Sequence, residues 1–534
     1  MSFEIENFAD EQLDAQYLAY LVEQQSAEQA QRYERLWDYF RNPLLPAVGA
    51  AADSLNSASR PYFQAQEMGL PPRITGLCQR GEPVTDLRRK EVVIENDIAW
   101  RVHTSVDFLF GKAPSVRSLA GNPVQAAEIE RIVASLLEAN GGVAMMQEVA
   151  LFGAIYGFVD IALRTPADRP APLPSFPARS PAGQPAQGSL STPAAGRPGL
   201  PEDNAADAQR RRLVERTIDF ARTIQLEPVE ATRVLPMLEE DDYRRLRYWV
   251  QRYHKHPSRL EDSRRRWLPW GGGQGRTPAS VEVVEILGAH WWQRYEDRVL
   301  VAQGANPLGR LPIVHIQNMA LPGSYEGLGD VEPLIALQDE LNTRLSDRAN
   351  RVTYQSFKMY LGKGIDDFLE RPVGPGQMWA TSNLQANIEE FGSDSGSPSE
   401  EAHIEQVRSA MDKVSCVTPL AAGLIHGNIG NLSSATALKV LLSGLLSRTE
   451  KKRLTYGAGL ARVVELALAC LDAAGVYPTA AEDRRIEIHW PSPLPDDEGE
   501  KLRNAQIKAA LGVPADRVLA ELGYSRQISD PTGN

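Results

Sequence analysis

The stretch that decides the fold is residues 329–350, which read GDVEPLIALQDELNTRLSDRAN. Pro333 marks the first turn of a helix, where proline is tolerated because the N–H groups of that turn have no intrahelical acceptor. Asp330 precedes it and is predicted to be the N-cap. Apolar residues then recur at spacings of three, four or seven, which predicts one apolar helix face. That face consists of Leu334, Leu337, Leu341, Leu345 and Val352.

A second helix is predicted to begin at residues 397–400, which read SPSE. This is a capping-box pattern with proline at the first helical position, and the helix is predicted to end near Pro419. Its apolar stripe consists of Ile404, Val407, Met411 and Val414. The intervening residues 357–396 are predicted to form short strands and turns.

The two helices are followed by residues 420–432, which read LAAGLIHGNIGNL and carry no charge apart from any on His426. Three glycines and two asparagines predict a flexible loop. A helical pattern then runs from about residue 434 to 471, with bends expected at Gly444, Gly457 and Gly459. Two helices that return the chain to one place, followed by a neutral loop and a long helix, indicate an element built around an opening rather than around a substrate pocket.

Several short segments follow one another in a characteristic order: LPIVHIQN (311–318), GD (329–330), IALQDELN (335–342), SDRAN (346–350), MYLG (359–362) and GNIGNLSSATAL (427–438). This ordered series resembles the portal proteins of tailed double-stranded DNA bacteriophages. The resemblance covers roughly residues 30–520. It implies an α+β, mainly helical portal fold with wing, stem, clip and crown regions, in which long stem helices surround a central channel.

The resemblance also implies a division of the chain. Residues 166–201 contain ten prolines, so a disordered insertion at about 165–212 is expected within the wing. The expected regions are a wing at 1–317 with a β-rich part at about 216–317, a stem helix at 330–356, a clip at 357–396, a second stem helix at 397–417, a channel loop at 418–433, a long wing or crown helix at 434–475, and a C-terminal crown at 476–534.

The function that the resemblance implies is structural. Twelve copies would form a ring at one vertex of the capsid and provide the channel for DNA packaging and ejection. The expected partners are further copies of the chain, double-stranded DNA, the terminase large subunit, the scaffold and major capsid proteins, and the head-completion or tail adaptor proteins. The expected location is the virion, after assembly in the host cytoplasm, and no cofactor, metal, membrane or enzymatic activity is expected.

Candidate site residues follow from the resemblance and from the charge pattern. The channel-loop candidates are Leu424, Ile425, His426, Asn428 and Asn431. The stem candidates facing the channel are Arg344, Arg348 and Arg351, and the subunit-interface candidates are Arg264, Arg265 and Arg266. The clip candidates for docking the motor are Asp366, Asp367, Glu370 and Arg371, although such acids are also typical of ordinary solvated positions.

The charge of the chain bears on how strongly its surface would bind DNA. The formal net charge of −12 argues against a protein that grips nucleic acid over its whole surface, but it allows one that lets DNA slide past. The basic stretch at residues 244–266 has two interpretations. It contacts DNA or an acidic partner, or it is an exposed rim that pairs with acidic surface on a neighbouring subunit.

Composition and motifs narrow the function further. At 534 residues the chain is expected to form two to four subdomains, and three widely spaced cysteines fit a reducing compartment. The acidic first residues predict no secretory signal. The sequence holds no phosphate-loop, HExxH, GxSxG or CxxC motif, and the pair His254 and His256 lacks a third metal ligand nearby. The alternatives are a DNA-processing enzyme with an unrecognised site, or another large virion component such as a head–tail adaptor.

The amino-terminal half is predicted from periodicity alone. Helices are expected over residues 30–41, 91–110, 122–140 and 142–156. Strands are expected over residues 157–163, 281–287, 291–302 and 311–317. The most apolar window, residues 143–163, contains Gln147, Glu148 and Asp160, and it is therefore interpreted as a buried helix and strand rather than a membrane span.

Overall fold

The computed structural model describes most of the chain, and every structural statement below concerns the described residues. These are residues 15–46, 62–76, 90–165, 202–242, 244–255, 280–356, 359–363, 384–391, 398–423, 435–494 and 498–521. Helices and sheets alternate along them, and the mixed α+β class predicted from the sequence is confirmed.

The helices are named here in chain order. They are α1 (Ala15–Tyr20), α2 (Ser26–Arg41), α3 (Pro72–Thr75), α4 (Asp97–Phe110), α5 (Pro123–Ala139), α6 (Val143–Tyr156), α7 (Glu202–Ala221), α8 (Ile335–Ser356), α9 (Pro398–Ser415), α10 (Ala435–Leu441), α11 (Ser443–Ala473), α12 (Glu498–Ala510) and α13 (Ala515–Glu521). A π-helical turn, Leu21–Gln25, joins α1 to α2.

The strands form five antiparallel sheets. They are β1 (Leu44–Pro46), β2 (Tyr62–Gln64), β3 (Ser115–Ser118), β4 (Phe158–Arg164), β5 (Gln225–Val229), β6 (Val234–Leu238), β7 (Leu246–Lys255), β8 (Val281–Leu287), β9 (Trp291–Glu296), β10 (Val299–Ala305), β11 (Ile313–Gln317), β12 (Met359–Lys363), β13 (Asn387–Phe391) and β14 (Ile486–His489). The sheet orders are β10-β9-β8-β7-β6, β11-β4-β5, β1-β2, β12-β13 and β14-β3.

The main core lies where α4, α6 and α11 pack against the β11-β4-β5 sheet. Val149 of α6 and Val159 of β4 are both fully buried, so the apolar window at residues 143–163 is a core helix and strand, as predicted. Within the described residues, α11 is the one helix long and apolar enough to cross a membrane, but 61% of its apolar window is buried inside the protein. The burial of that window identifies α11 as a core helix.

A second core covers one face of the five-stranded sheet. Leu18 and Leu21, on α1 and the turn after it, pack against Tyr248, Trp291 and Tyr295 of the sheet. Each of these side chains is buried, which ties the first described residues of the chain to the sheet that contains β10.

The predicted strand at residues 291–302 is wrong in one respect, because this segment is a hairpin. Asp297 and Arg298 have φ angles of +46° and +69°, and they turn the chain between β9 and β10. Two successive residues with positive φ are typical of the type I′ turn, which matches the twist of the flanking strands. The sequence lacks the glycine that usually marks such a turn.

The boundary of the predicted insertion also differs. Residues 202–212 were expected to belong to it, but they form the first part of α7, which continues to Ala221. Prolines end at residue 201, and alanine, arginine and leucine, which favour helices, follow. The β-rich part therefore begins at Gln225 rather than near residue 216. The segment 166–201 lies outside the described residues.

The long helical pattern after residue 434 is interrupted once. α10 ends at Leu441 and α11 begins at Ser443, next to the predicted bend at Gly444. Gly457 and Gly459 lie inside the uninterrupted α11. A Cβ atom at Gly459 would lie 2.4 Å from Cδ1 of Ile316, so this glycine allows α11 to pack closely against β11.

The two glycines give a matched pair of substitutions. We expect Gly459→Ala to lower the free energy of unfolding by about 1–3 kcal/mol, because the new methyl group overpacks the contact with Ile316. Gly457→Ala meets its nearest atom at 3.4 Å, and we expect it to be neutral or to stabilise by up to about 1 kcal/mol, since alanine favours helix. Thermal unfolding of the two variants checks this. Equal effects at the two positions would contradict the packing role of Gly459.

Candidate functional site

The helices α8 and α9 pack side by side and run in opposite directions. Leu341 of α8 and Met411 of α9 are fully buried, as the sequence pattern predicted, whereas Val414, predicted to belong to the α9 stripe, is 39% exposed. The stripes fade toward the end of the pair that adjoins the β12-β13 hairpin, where Val352 is 51% exposed. The helix pair is therefore most deeply buried along its middle part and more exposed toward the hairpin.

Ion pairs join the two helices along their outer faces. Arg351 pairs with Glu400, and the guanidinium of Arg348 lies 3.8 Å from the carboxylate of Glu401. His403 of α9 lies 3.0 Å from Glu340 of α8. These side chains are partly exposed, so each pair contributes at most about 1 kcal/mol to stability.

The three arginines predicted to face the channel therefore all have acidic partners. Arg348 and Arg351 reach across to α9, while Arg344 pairs within α8 with Glu340 at 2.7 Å and lies 3.6 Å from Asp347. The structure thus brings the stem candidates onto one helix pair, and their positive charges are largely balanced there.

One polar face of α8 holds an extended segment, residues 91–97, which we call the strap. The face is formed by amide and hydroxyl side chains at four-residue spacing, which places them in one row along the helix. They are Gln338, Asn342, Ser346 and Asn350. The predicted helix over residues 91–110 is wrong for its first six residues, because the strap occupies them and α4 begins at Asp97 behind an Asn96 N-cap.

The centre of the strap is bound by buried side chains. The N–H of Glu95 donates to Oδ1 of Asn342 at 3.0 Å, and Gln338 Nε2 donates to the carbonyl of Glu95. Gln338 Oε1 also accepts the N–H of Asp97 at 3.1 Å. Asn342 Nδ2 donates to Oε1 of Gln66 at 3.0 Å. Asn342 and Gln338 are fully buried, so these bonds satisfy polar groups that water does not reach.

The other end of the strap repeats the pattern nearer the surface. The N–H of Val93 donates to Oγ of Ser346 at 3.0 Å. Asn350 pairs with the backbone of Glu91 in both directions, accepting its N–H at 3.0 Å and donating to its carbonyl at 2.9 Å.

The spacing of the row explains why a helix and an extended segment can match over this length. Four helical residues advance about 6 Å along the axis. Two extended residues advance about 6.6 Å. Every second strap residue therefore meets the next side chain of the row. The strap fixes the axial position of α8 through backbone groups, which do not depend on the strap's own side chains.

The strap also reaches α9. Arg408 of α9 donates to the Glu95 carboxylate at 2.7 Å, and Thr353 of α8 donates to the Glu91 carboxylate at 2.7 Å. The same short segment thus contacts both helices of the pair.

Two further residues attach α8 to the amino-terminal part of the chain. Arg73 donates two hydrogen bonds to Asp347, at 2.6 and 2.9 Å, and this interaction holds the pKa of the Asp347 carboxyl below its ordinary value. Tyr39 donates to Asp339 at 2.7 Å. Burial raises the pKa of Asp339, and the bond from Tyr39 opposes that rise.

A buried charge cluster lies at the base of the helix pair. Asp330 was predicted to be the N-cap of the first helix. That prediction is wrong, because its carboxylate forms ion pairs with two side chains of α11. Lys452 Nζ lies 2.5 Å from Asp330 Oδ2, and Arg448 donates to Asp330 Oδ1 at 2.8 Å. Lys452 also donates to Ser105 of α4 at 2.8 Å. A 3₁₀ turn, Glu332–Leu334, opens the helix instead.

In this cluster one buried carboxylate is bonded to two cations. Burial alone would raise the pKa of Asp330, but the adjacent charges of Lys452 and Arg448 outweigh it, and the pKa lies below the ordinary value. Arg448 also donates to the carbonyl of Val414 at 3.0 Å. Asp330 and Arg448 therefore connect the start of α8 and the end of α9 to the same point on α11.

Arg101 of α4 performs a related role at the end of α9. Its guanidinium is buried and lies 2.7 Å from Asp412, and it donates to Ser415 at 3.1 Å and to the carbonyl of Val417 at 2.6 Å. Asp97 of the same helix lies 3.3 Å away. The C-terminal turn of α9 is thus held by a fixed, multiply bonded cation.

The other sequence-predicted site residues all lie outside the described residues. These are the channel-loop candidates Leu424, Ile425, His426, Asn428 and Asn431, the clip candidates Asp366, Asp367, Glu370 and Arg371, and the interface candidates Arg264, Arg265 and Arg266. For the clip, the structure describes β12 and β13, which pair in antiparallel register and so carry the predicted short strands. The described residues contain no group of side chains suited to hold a metal ion.

Residues 279–522 match the family model described as "Phage portal protein, SPP1 Gp6-like". This part of the chain is similar to the phage portal protein family. The resemblance predicted from the sequence is confirmed, and α8, α9 and α11 all lie inside the matched range. The strap lies outside it, so a segment from the unmatched part of the chain braces a helix of the matched part.

The chain was also compared with solved structures and with curated proteins. A chain of the solved structure "Virion of native gene transfer agent (GTA) particle" is similar with a TM-score of 0.40 and 12% identity, covering 80% of this chain and 90% of that chain. None of the curated proteins matches the sequence.

The row on α8 predicts a gradient of effects. We expect Asn342→Ala to lower the free energy of unfolding by roughly 2–4 kcal/mol, because it leaves the N–H of Glu95 and the buried amide oxygen of Gln66 unpaired. Asn350→Ala, at the exposed end, should cost about 0.5–1 kcal/mol, since water replaces its bonds. Amide hydrogen exchange of residues 91–97 reports the strap directly. If the amides of residues 91–97 were equally protected from exchange in both variants, the proposed binding of the strap by the row on α8 would be contradicted.

The Asp330 cluster predicts a pH-dependent effect. At neutral pH, Asp330→Asn should lower the free energy of unfolding by about 3–5 kcal/mol, because Lys452 is left buried beside a neutral group. A carboxyl whose folded pKa is depressed stabilises above its unfolded pKa and loses that contribution as pH falls through the folded value. The difference between wild type and variant should therefore shrink below pH 3.8, the ordinary value. Urea unfolding across that range measures it, and a constant difference would disprove the ion pair.

Proposed function

We propose that this protein is the portal subunit of a phage-like particle, which forms a ring at one capsid vertex and provides the channel for DNA packaging and ejection. The observation that carries the proposal is the portal-family match over residues 279–522, the range that contains the helix pair. The family is structural and non-enzymatic, so ATP hydrolysis belongs to a motor that docks on the ring. In the virion, the head-completion and tail connector proteins take the place of that motor.

The regions of the chain map onto this role. α8 and α9 are the two stem helices, the β12-β13 hairpin is part of the clip, and α11 is the long helix toward the crown. Residues 418–433 would be the loop that meets passing DNA, and the clip would face the terminase motor. A ring of one kind of subunit needs two complementary faces that close on each other.

The charge balance of the helix pair suits a wall along which DNA moves. Free arginines would neutralise phosphates and hold the duplex in place. Arg348 and Arg351 are instead offset by Glu401 and Glu400 of the same subunit. If these arginines line the channel, the duplex meets a nearly neutral surface with little sequence-independent attraction.

This proposal predicts the effect of freeing the arginines. The double substitution Glu400→Gln and Glu401→Gln should make the assembled protein bind short duplex DNA more tightly. Each freed arginine that contacts a phosphate should steepen the dependence of log K on log salt by about 0.9. Glu405→Gln is the control, because Glu405 lies on α9 and pairs with no arginine of the described residues. Affinity and salt dependence equal to those of the control would exclude these arginines from the channel wall.

Assembly tests the function as a whole. Twelve copies of the 58.9 kDa chain amount to about 0.7 MDa, and sedimentation should show a species of that size. A monomer under conditions that favour association would support the alternative of a DNA-processing enzyme. A large assembly without a central passage would support a different structural component, such as a head–tail adaptor.

A further inference from the structure

The imidazole of His315 lies between two hydrogen-bond acceptors. His315 is on β11, directly opposite Asp160 of β4, and its Nδ1 lies 2.7 Å from the Asp160 carboxylate. Its Nε2 lies 2.9 Å from the backbone carbonyl of Tyr325. Because a backbone carbonyl can only accept a hydrogen bond, Nε2 carries a hydrogen. Whether Nδ1 also carries one depends on the charge of Asp160.

The surroundings of Asp160 favour its ionised form. The carboxylate is fully buried and accepts the indole N–H of Trp249 at 2.8 Å. The hydroxyl of Tyr325 donates to the same carboxylate and lies 3.1 and 3.0 Å from its two oxygens. Hydrogen bonds donated to a carboxylate stabilise its charged form, and a buried charge needs a partner of opposite sign.

His315 is the partner of opposite sign that the structure provides. Among the described residues, it is the one basic side chain that pairs with Asp160. An ionised carboxylate is an acceptor only, so Nδ1 donates to it as Nε2 donates to Tyr325. With a hydrogen on each nitrogen, the ring is an imidazolium.

The carbonyl that His315 binds belongs to residues 319–328, which we call the connector loop. This loop joins β11 to the segment that opens α8. The N–H of Leu328 donates to the carbonyl of Met319 at 3.0 Å, which closes the loop at its ends. Asp330, at the base of the helix pair, follows two residues later. The attachment of the connector loop therefore affects the segment that leads into α8.

Two side chains of β11 hold the middle of the connector loop. His315 binds the carbonyl of Tyr325, and the rings of these two residues stack with their centroids 3.9 Å apart. Gln317 Nε2 lies 2.9 Å from the carbonyl of Ser324 and 3.1 Å from that of Tyr325. Residues 315 and 317 are two apart on one strand, so their side chains lie on the same face.

Other titratable or charged side chains surround the ring and its partners. They come from α2, from the connector loop, from the segment before β7 and from α11, and they are Tyr33, Arg32, Tyr325, Glu326, Arg244 and Arg462. Burial raises the pKa of both tyrosines, and guanidinium groups keep their charge. Imidazole is the side chain whose charge ordinarily changes near neutral pH, so His315 is the group in this set suited to respond there.

We propose that His315 is a pH-dependent latch, which holds the connector loop on β11 while both ring nitrogens carry a hydrogen and releases it when the ring loses one. The hydrogen that remains stays on Nδ1, because the charged carboxylate of Asp160 is the stronger acceptor. Nε2 then directs its lone pair at the carbonyl oxygen of Tyr325, and the bond is replaced by repulsion. This inference concerns the connector loop and does not rest on the proposed portal role.

Amide hydrogen exchange at two pH values tests the latch in the full chain. After correction for the intrinsic rate, the N–H of Leu328 should be at least about tenfold less protected at about pH 9 than at about pH 6, because a charge-assisted hydrogen bond to the loop is lost. The amides of α6 serve as the internal reference and should not change. Equal protection of Leu328 at the two pH values in wild type would overturn the proposal.

Two variants assign the pH dependence to one histidine. His315→Gln should give the Leu328 amide the same low protection at both pH values. His489→Gln is the matched control, because His489 also lies beside a carboxylate, that of Glu487 at 3.3 Å, but on β14. This control should keep the pH dependence of wild type. A His315→Gln variant that also keeps it would overturn the proposal.

The protonation of the ring can be observed directly. Solid-state NMR of the full chain with ¹⁵N-labelled histidine, compared with His315→Gln, isolates the two ring nitrogens of His315. At about pH 6 both should carry a hydrogen, and at about pH 9 only Nδ1 should. A bare nitrogen at about pH 6 would place the proton on Asp160 instead and overturn the proposal, and so would a bare Nδ1 at about pH 9.

Discussion

The hydrogen bonds between one face of α8 and the backbone of the strap are the constraint on which the rest of the structure depends. The row from Gln338 to Asn350 binds alternate backbone groups of residues 91–97. Backbone groups have fixed spacing, so the row sets the axial position of the helix more strictly than an apolar contact would. α4 continues directly from the strap, and it therefore carries the same constraint into the core.

Buried charges secure the base of the helix pair in a different way. Asp330 is bonded to Lys452 and Arg448 of α11, and Arg101 of α4 is bonded to the last turn of α9. Breaking either cluster would leave an uncompensated charge in the interior, so both resist small displacements. The helix pair is thus stiff where it enters the body, while its far end is joined by exposed ion pairs of low individual strength.

The sequence predicted the elements whose signals are local. The bounds of α8 and α9 follow from apolar periodicity, and both helices lie close to where the pattern put them. The strap was missed because Ile94 continues the four-residue apolar spacing of α4, which predicted a helix through the strap. The hydrogen bonds that hold the strap extended come from residues about 250 positions away. The four-residue spacing of Gln338, Asn342, Ser346 and Asn350 was a usable signal. The role of Gly459 depends on Ile316 and could not be read from either segment alone.

The central claim is that α8 and α9 form the inner wall of a ring of identical subunits. An electron cryomicroscopy reconstruction of the purified protein, viewed along its symmetry axis, tests it most directly. The account predicts a closed ring with this helix pair around a duplex-wide passage, and with the strap on the side of α8 that faces away from the passage. A helix pair on the outer surface of the assembly, or a ring without such a passage, would contradict it.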